Sequence, residues 1–283
     1  MPATIQLIDC PRDAMQGIKP FIPTQTKINF IQRLLACGFH SLDFGSFVSP
    51  KAIPQMRDTA EVLAGLDLSK TDTQLLAIVA NRRGAEAALS HPEIEYLGYP
   101  FSISETFQLR NTNATIEESL ERVIQIQEMV VAKNKQLVVY ISMGFGNPYG
   151  DPWNTEVVET WVDKLKDMGI GIFQLSDTIG VASPESITYL FSSLIPRYPM
   201  LTIGAHLHTT PDTWREKVEA AAEAGCTRFD GALRGYGGCP MAKDDLTGNM
   251  PTEKVIDYFG YEACGIKEDA LLAAMAESNN VYL

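Results

Sequence analysis

The stretch LTIGAHLHTTPDTWREKVEAAAEAG (residues 201–225) contains a strand pattern followed by a helix pattern. Apolar and polar side chains alternate over residues 201–209, which predicts a strand that carries His206 and His208 on one face. From residue 212 the apolar residues recur at helical spacing, and Gly225 follows as a helix stop. The stretch is one β/α unit, so the fold depends on how often this unit recurs.

The β/α unit recurs along the whole chain. Eight segments have strand character, namely residues 5–10, 41–46, 74–80, 93–101, 136–144, 171–178, 201–209 and 228–235. Helical patterns separate them; Thr115 and Glu118 form a predicted capping box, and Gly38 and Gly169 are helix stops. Eight such units in 283 residues predict a (β/α)8 TIM barrel. A doubly wound sheet is the alternative, but the first strand lacks the glycine fingerprint of a dinucleotide site.

We expect a single catalytic domain over residues 1–283. The barrel would occupy about residues 4–265, and KEDALLAAMAESNNVYL (267–283) predicts an appended C-terminal helix in an extension from residue 266.

Composition argues against several classes of protein. The net charge of −12 gives no basic face for nucleic acid. There is no apolar run of about 18 residues, which argues against a membrane span. The five cysteines follow no repeated pattern, and a strand pattern begins at residue 5, which leaves no room for a signal peptide. These features favour a reduced, cytoplasmic protein.

In a TIM barrel the active site gathers at the carboxyl ends of the strands. The polar residues predicted at or just after these ends are Arg12, Asp13, Asp43, Asp177, His206, His208, Cys239 and Asn249. A carboxylate, two imidazoles and an amide favour a divalent ion such as Mg²⁺ or Mn²⁺ over a closed structural zinc site.

Each candidate also has a structural interpretation. An H-x-H pair can simply line a polar barrel interior, although Asp13 opposite the pair favours a metal. Asp177 can be a helix N-cap, and His40, at the opposite end of the barrel, is expected to be structural or solvated. Cys10 resembles a small core residue. Cys239, in a glycine-rich loop, can exchange a proton.

Five segments resemble signature segments of the 3-hydroxy-3-methylglutaryl-CoA lyase family. They are PRDAMQ (11–16), SFVSPKAIPQM (46–56), SETFQLRNTNATIEES (104–119), SDTIG (176–180) and GYGGCPMAKDDLTGN (235–249). The family belongs to a superfamily of metal-dependent barrel enzymes that make or break carbon–carbon bonds beside a carbonyl. The resemblance extends from the first strand to the eighth helix.

The resemblance implies roles for individual residues. Arg12 would be the catalytic arginine, Cys239 the loop cysteine and Asp177 an acidic group near the substrate. Asp43 takes the place of a family glutamate, and the general base stays open among Asp13, His206 and a metal-bound water. The implied metal ligands are Asp13, His206, His208 and Asn249.

The chain departs from the family pattern at several positions. Ile8 stands where the family has a glutamate, Asp43 is one methylene shorter than its counterpart, and Ala14 and Thr209 replace a glycine and an aspartate. The segment between Cys239 and Asn249 is one residue longer. None of these changes removes an implied metal ligand, so they bear on the acyl substrate.

The function expected from these features is retro-Claisen cleavage of 3-hydroxy-3-methylglutaryl-CoA, or a close analogue, to acetyl-CoA and a keto acid (acetoacetate for the named substrate). The alternatives are a Claisen-type synthase of the citramalate or isopropylmalate kind and a non-catalytic relative that binds a metal or ligand. We expect an acyl-CoA substrate, a homodimer or larger homo-oligomer, and no nucleic-acid or membrane partner.

Overall fold

Eight parallel strands close into a barrel in the computed structural model, which describes residues 4–238 and 247–282. The barrel strands are β1 (Gln6–Asp9), β2 (Ser41–Ser46), β3 (Gln74–Ile78), β4 (Ile94–Ser102), β5 (Gln136–Ser142), β6 (Ile172–Ser176), β7 (Thr202–His206) and β9 (Arg228–Gly231). They follow one another in this order, and β1 pairs with β9 to close the ring. The predicted (β/α)8 barrel is confirmed.

Helices connect the strands and extend beyond the last one. They are α1 (Pro11–Gln16), α2 (Thr24–Cys37), α3 (Thr59–Ala64), α4 (Arg82–Leu89), α5 (Glu105–Thr112), α6 (Ile116–Ala132), α7 (Thr155–Asp167), α8 (Pro184–Arg197), α9 (Trp214–Glu223), α10 (Thr252–Phe259), α11 (Tyr261–Cys264), α12 (Glu268–Glu277) and α13 (Asn279–Tyr282). Two short 3₁₀ turns cover Pro54–Met56 and Leu233–Gly235. No helix among the described residues has the length and hydropathy needed to cross a membrane.

Local sequence signals set several helix ends. The Thr115 hydroxyl accepts a hydrogen bond from the Glu118 amide at 3.1 Å, and the Glu118 carboxylate accepts one from the Thr115 amide at 2.9 Å. The predicted capping box is therefore present at the start of α6. Gly38 follows α2 with φ of 96°, a left-handed conformation that ends the helix and that glycine adopts without steric cost.

Two predicted strands are shorter than expected, for the same reason. Strand β7 ends at His206, and His208–Thr209 form a separate strand, β8, that pairs antiparallel with β10 (Gly248–Asn249). Strand β9 ends at Gly231, since the next residue, Ala232, bonds to Met250. The segments that follow β7 and β9 therefore bond to residues 248–252 instead of continuing the barrel sheet. The distance of these residues along the sequence hid this pairing.

The interior of the barrel is filled rather than hollow. Leu76, Tyr96 and Tyr140 belong to an apolar cluster that is separate from the main core between sheet and helices. At Gly98 an added Cβ would lie 2.5 Å from Ile78 and 3.0 Å from Tyr140, so any larger residue would require these side chains to move. The close packing confines the polar groups to a few defined places in the interior.

The C-terminal segment forms two helices instead of the single helix predicted. Helix α12 packs on α2, and in α13 the ring of Tyr282 lies 4.4 Å from that of Tyr236 in a stacked arrangement. Arg234 donates hydrogen bonds to the Ser278 hydroxyl and the Met275 carbonyl, both at 3.1 Å. These contacts hold the C-terminal helices against the turn that follows β9.

Candidate functional site

Asp13, His206 and His208 converge at the carboxyl end of the barrel. Each offers one ligand atom, and the three atoms lie within 4.8 Å of one another. The two imidazole rings are 5.6 Å apart. Asp13 and His208 are buried, and the His206 side chain is 13% exposed, which leaves the cluster open on one side. The structure thus brings together three of the four residues proposed as ligands, in a geometry that could hold a metal ion.

Different elements position the members of this cluster. Asp13 lies in the first turn of α1, immediately after β1, rather than in an irregular loop. His206 is the last residue of β7, and His208 is the first residue of β8. Strand ends and a helix start are rigid attachment points, so the three side chains have little freedom to separate.

Asn249 joins the cluster from β10, where it pairs with His208. Its amide nitrogen donates to Asp13 Oδ2 at 2.7 Å and to the Tyr236 carbonyl at 2.9 Å. Two acceptors on one side fix the orientation of the amide, because its oxygen would meet only other oxygens there. The Asn249 oxygen is therefore the atom that remains for a metal, and the Asn249 nitrogen orients Asp13.

Arg12 lies between two carboxylates. Its Nε donates to both oxygens of Asp43, at 3.2 and 3.0 Å, and Nη2 donates to the same carboxylate. Nη1 contacts Asp13 Oδ1 at 3.1 Å and Gln16 Oε1 at 2.9 Å. Burial alone would lower the pKa of Arg12, but the charges of Asp43 and Asp13 raise it above the ordinary value. Arg12 is held as a fixed cation beside the carboxylate of Asp13.

The carboxylates around Arg12 differ in acidity. Burial raises the pKa of Asp43 to about 6, against the opposing effect of the Arg12 charge. Burial also acts to raise the pKa of Asp13, but Arg12, His206 and His208 together lower it. Asp13 therefore stays ionised, as a metal ligand must, and is a poor proton acceptor.

Asp230 is a residue of this cluster that the sequence interpretation missed. Its Oδ2 lies 3.0 Å from His206 Nδ1, and Gln174 donates to its other oxygen. A carboxylate on one ring nitrogen fixes the tautomer and directs the other nitrogen, Nε2, toward a ligand. Burial opposes protonation of His206, but the hydrogen bond and charge of Asp230 raise its pKa overall. The only sequence signal was an acidic residue within a strand of a barrel whose interior is polar.

His208 has different surroundings from His206. Its Nδ1 is buried and has no hydrogen-bond partner among the described residues. Burial lowers the pKa of His208 to about 4, and the neighbouring His206 acts in the same direction. A neutral imidazole with an unpartnered nitrogen suits metal ligation.

Asp177 does not have the surroundings predicted for it. It is fully buried, with Oδ2 accepting from Lys217 Nζ at 2.8 Å and Oδ1 accepting from the Ala182 amide at 3.0 Å. The N-cap of α8 is Ser183, so the helix-cap interpretation is wrong. The Lys217 ammonium also donates to the His208 carbonyl at 2.8 Å. Asp177 thus supports His208 through Lys217, and both carboxylate oxygens are engaged.

Cys10 and Tyr140 also lie near His206. Cys10 is buried as predicted, yet it lies within 4.8 Å of ligand atoms of His206 and Asp230. The Tyr140 ring, which the sequence interpretation also missed, meets His206 edge-on at 5.6 Å. Cys239 lies outside the described residues.

Among the described positions that depart from the family pattern, Ala14 and Thr209 adjoin Asp13 and His208 in the chain. Ile8 is fully buried on β1, two residues before Cys10, and Ala14 follows Asp13 in α1. The Thr209 hydroxyl donates to the Asn249 carbonyl at 3.3 Å, a contact that ties β8 to β10. Thr209 thus contributes a backbone contact where an aspartate would have added a negative charge.

Comparison with known proteins gives a consistent result. The family model HMGL-like matches residues 4–277. Hydroxymethylglutaryl-CoA lyase YngG of Bacillus subtilis is 35% identical over 87% of this chain and 81% of its own length. The 3-hydroxy-3-isohexenylglutaryl-CoA/hydroxy-methylglutaryl-CoA lyase of Pseudomonas aeruginosa is 33% identical over 90% of this chain and 85% of its own length.

A solved structure agrees with these matches. The HMG-CoA lyase of Acinetobacter baumannii, in complex with coenzyme A and 3-methylmalate, superposes with a TM-score of 0.87 at 31% identity. The alignment covers 98% of this chain and 91% of that one. From its barrel, its site and these relatives, the chain belongs to the HMGL-like family.

Proposed function

We propose that this protein is a carbon–carbon lyase that uses a divalent metal to cleave 3-hydroxy-3-methylglutaryl-CoA, or a close analogue, to acetyl-CoA and acetoacetate or the corresponding keto acid. The observation that carries the proposal is the convergence of Asp13, His206 and His208 beside the fixed guanidinium of Arg12. The names of the bacterial relatives and the coenzyme A in the related complex support an acyl-CoA substrate.

The proposed metal ligands are the Asp13 carboxylate, His206 Nε2, a nitrogen of His208 and the Asn249 amide oxygen. The unpartnered His208 nitrogen and the Asp230 contact of His206 fit such a role. A bound Mg²⁺ or Mn²⁺ would lower the pKa of the substrate hydroxyl and hold the reacting end of the substrate in place. Mg²⁺ and Mn²⁺ are both proposed as candidates for the native ion.

Arg12 would act on the charge that develops during cleavage. Breaking the carbon–carbon bond leaves an enolate of acetyl-CoA, and its oxygen needs a donor that is already in place. The Asp43 carboxylate holds the Nε–Nη2 edge of Arg12, so the guanidinium is oriented before the substrate arrives. Asp43 is in this proposal a positioning residue for Arg12.

Proton transfer needs a base and an acid. The low pKa of Asp13 makes it a weak base, and His206 would have Nε2 on the metal and Nδ1 on Asp230, so neither side chain is assigned as the base. We assign protonation of the enolate to Cys239, on the family resemblance alone. Cys239→Ser is then expected to keep metal affinity but lower kcat, because a hydroxyl is a poorer acid than a thiol. An unchanged kcat would remove Cys239 from the mechanism.

A direct assay tests the whole proposal. Purified protein is incubated with a panel of 3-hydroxy-3-alkylglutaryl-CoA thioesters and Mg²⁺ or Mn²⁺, and acetyl-CoA release is measured. We expect metal-dependent cleavage of the 3-methyl compound or of a close analogue. Formation of an acyl-CoA condensation product from acetyl-CoA and a keto acid would instead identify a synthase. Metal binding without turnover of any compound would identify a non-catalytic relative.

Three further features belong to the proposal. We infer a homodimer or larger homo-oligomer, a cytoplasmic location, and one catalytic domain over the whole chain. Light scattering of the purified protein tests the first, localisation of the tagged protein tests the second, and a single cooperative unfolding transition tests the third.

A further inference from the structure

Arg228 is a buried cation at the opposite end of the barrel from the proposed metal ligands. It is the first residue of β9, where it pairs with Gln6, and only 1% of the residue is exposed. Its guanidinium lies 5.9 Å from the centre of the Tyr96 ring. Tyr96 belongs to the apolar cluster inside the barrel, so the Arg228 side chain extends into the barrel interior.

The hydrogen bonds of Arg228 are incomplete. Nη1 donates to Gln6 Oε1 at 3.3 Å, whereas Nε and Nη2 are buried and have no partner in the described part of the chain. Among residues 4–238 and 247–282, no carboxylate oxygen lies within 4.0 Å of the guanidinium. Arg12 provides an internal comparison, because its Nε and Nη2 share one carboxylate, that of Asp43. The same edge of Arg228 is not paired with a carboxylate of the described residues.

Other polar atoms near Arg228 are also unpartnered. His40 Nδ1 and Ser41 Oγ are buried without a hydrogen-bond partner among the described residues. Both lie at the start of β2, at the same end of the barrel as Arg228, and the His40 ring is 6.1 Å from the Tyr96 ring. This part of the interior therefore has unpartnered polar atoms around one positive charge.

A buried charge without a counter-ion costs several kcal/mol, because the interior solvates it poorly. Buried water molecules would satisfy the donors but leave the charge uncompensated. A small anion would do both. A guanidinium edge with two N–H groups suits an acceptor that takes two hydrogen bonds at once.

We propose that a small inorganic anion of the chloride class binds inside the barrel, against the Nε–Nη2 edge of Arg228. The site is separate from the proposed metal ligands and does not depend on the proposed lyase activity. The anion would act as a structural counter-ion for Arg228.

Anomalous scattering gives the direct test. Crystals of the wild-type protein are grown with sodium bromide in place of chloride, and data are collected at the bromine absorption edge. An anomalous peak within hydrogen-bond distance of Arg228 Nε and Nη2 is expected. Density at this position without anomalous signal would indicate water and overturn the proposal, as would a guanidinium that has moved to a protein carboxylate.

Thermal unfolding tests the same site in solution. At constant ionic strength, replacing gluconate by chloride is expected to raise Tm saturably, by about 3 °C. Arg228→Met should abolish this dependence on chloride, while Arg197→Met, which removes an exposed arginine from α8, should keep it. A rise that does not saturate, or one that persists in Arg228→Met, contradicts a specific site. If Arg228→Met does not fold, the bromide experiment on the wild-type protein still decides.

Discussion

Arg12 contacts a proposed metal ligand and a non-ligand carboxylate with the same guanidinium. Asp43 holds one edge of the group, and Asp13 accepts from the other side. Loss of the guanidinium therefore removes the proposed donor for the developing enolate without removing a proposed ligand atom. Because the pKa of Asp43 is already raised, Asp43 can take up a proton when its cationic partner is absent.

Arg12→Met is predicted to lower kcat by at least about 10²–10³ while metal affinity stays within a few-fold. Steady-state kinetics and a calorimetric Mn²⁺ titration measure the two quantities. Arg197→Met, far from the site on α8, is the control for loss of an arginine. If Arg12→Met retains activity within a few-fold, Arg12 has only the structural role of an ion pair with Asp43.

Asp230→Asn tests how the proposed histidine ligands are oriented. The amide keeps the size of the side chain but removes the charge that holds the His206 tautomer. We expect metal affinity to fall about 10–100-fold, as is usual when the carboxylate partner of a ligating histidine is lost. Manganese binding followed by electron paramagnetic resonance measures this change, with Glu86→Gln, an exposed residue of α4, as control. Unchanged affinity would mean that Asp230 serves packing only.

At the scale of elements, the pattern of the sequence was sufficient for the barrel but not for the pairing beyond it. Strands and helices depend on local periodicity, and the site residues at strand ends follow from the barrel itself. The pairing of β8 with β10 joins residues about 40 positions apart and has no local signal. The contact of Lys217 has no local signal either, since its partner Asp177 lies on a different β/α unit.

Lys217 links three elements through one ammonium group. It donates to Asp177 after β6 and to the carbonyl of His208 in β8 from its position in α9. Lys217→Met would leave the buried charge of Asp177 unpaired, so we predict a loss of about 3–5 kcal/mol in the free energy of unfolding. The double variant Lys217→Met/Asp177→Asn should recover part of this loss, because no charge is then left alone.

Urea unfolding measures these free energies. Lys254→Met, which breaks an exposed pair with Asp257 on α10, should change stability little. Additive effects of the Lys217 and Asp177 substitutions would show that the two side chains do not act as a pair.

At the scale of the whole molecule, a buried carboxyl group outside the active site influences stability. Asp9 accepts a hydrogen bond from Thr252, and its other oxygen is buried with no partner among the described residues. Burial raises the pKa of Asp9 to about 7, and the charges of Glu253 and Asp43 act in the same direction. Between about pH 4 and pH 7 the folded protein keeps a proton that the unfolded chain releases. This contribution to the free energy of unfolding is complete at low pH and is lost as pH rises through about 7.

Asp9→Asn is therefore predicted to stabilise the protein relative to wild type above neutral pH, since an amide in this place never has to ionise. The difference should shrink as pH falls toward about 4, where the wild-type carboxyl is protonated in both states. Urea unfolding across this pH range measures the difference, with the exposed variant Asp67→Asn as control. A difference that does not vary with pH would mean that Asp9 ionises in the folded protein as it does in water.

The closure of the barrel by β1 and β9 also has a consequence for synthesis on the ribosome. Strand β1 emerges first, yet its partner at Arg228–Gly231 is among the last strands to be made. Until then a nascent chain carries an open sheet whose outer edge can pair with other chains. Asp13 likewise cannot accept its hydrogen bond from Asn249 until that residue, more than two hundred positions later, has been made. A prematurely terminated product that lacks the last barrel strand would thus be both inactive and prone to aggregate, which gives the cell a reason to clear such fragments quickly.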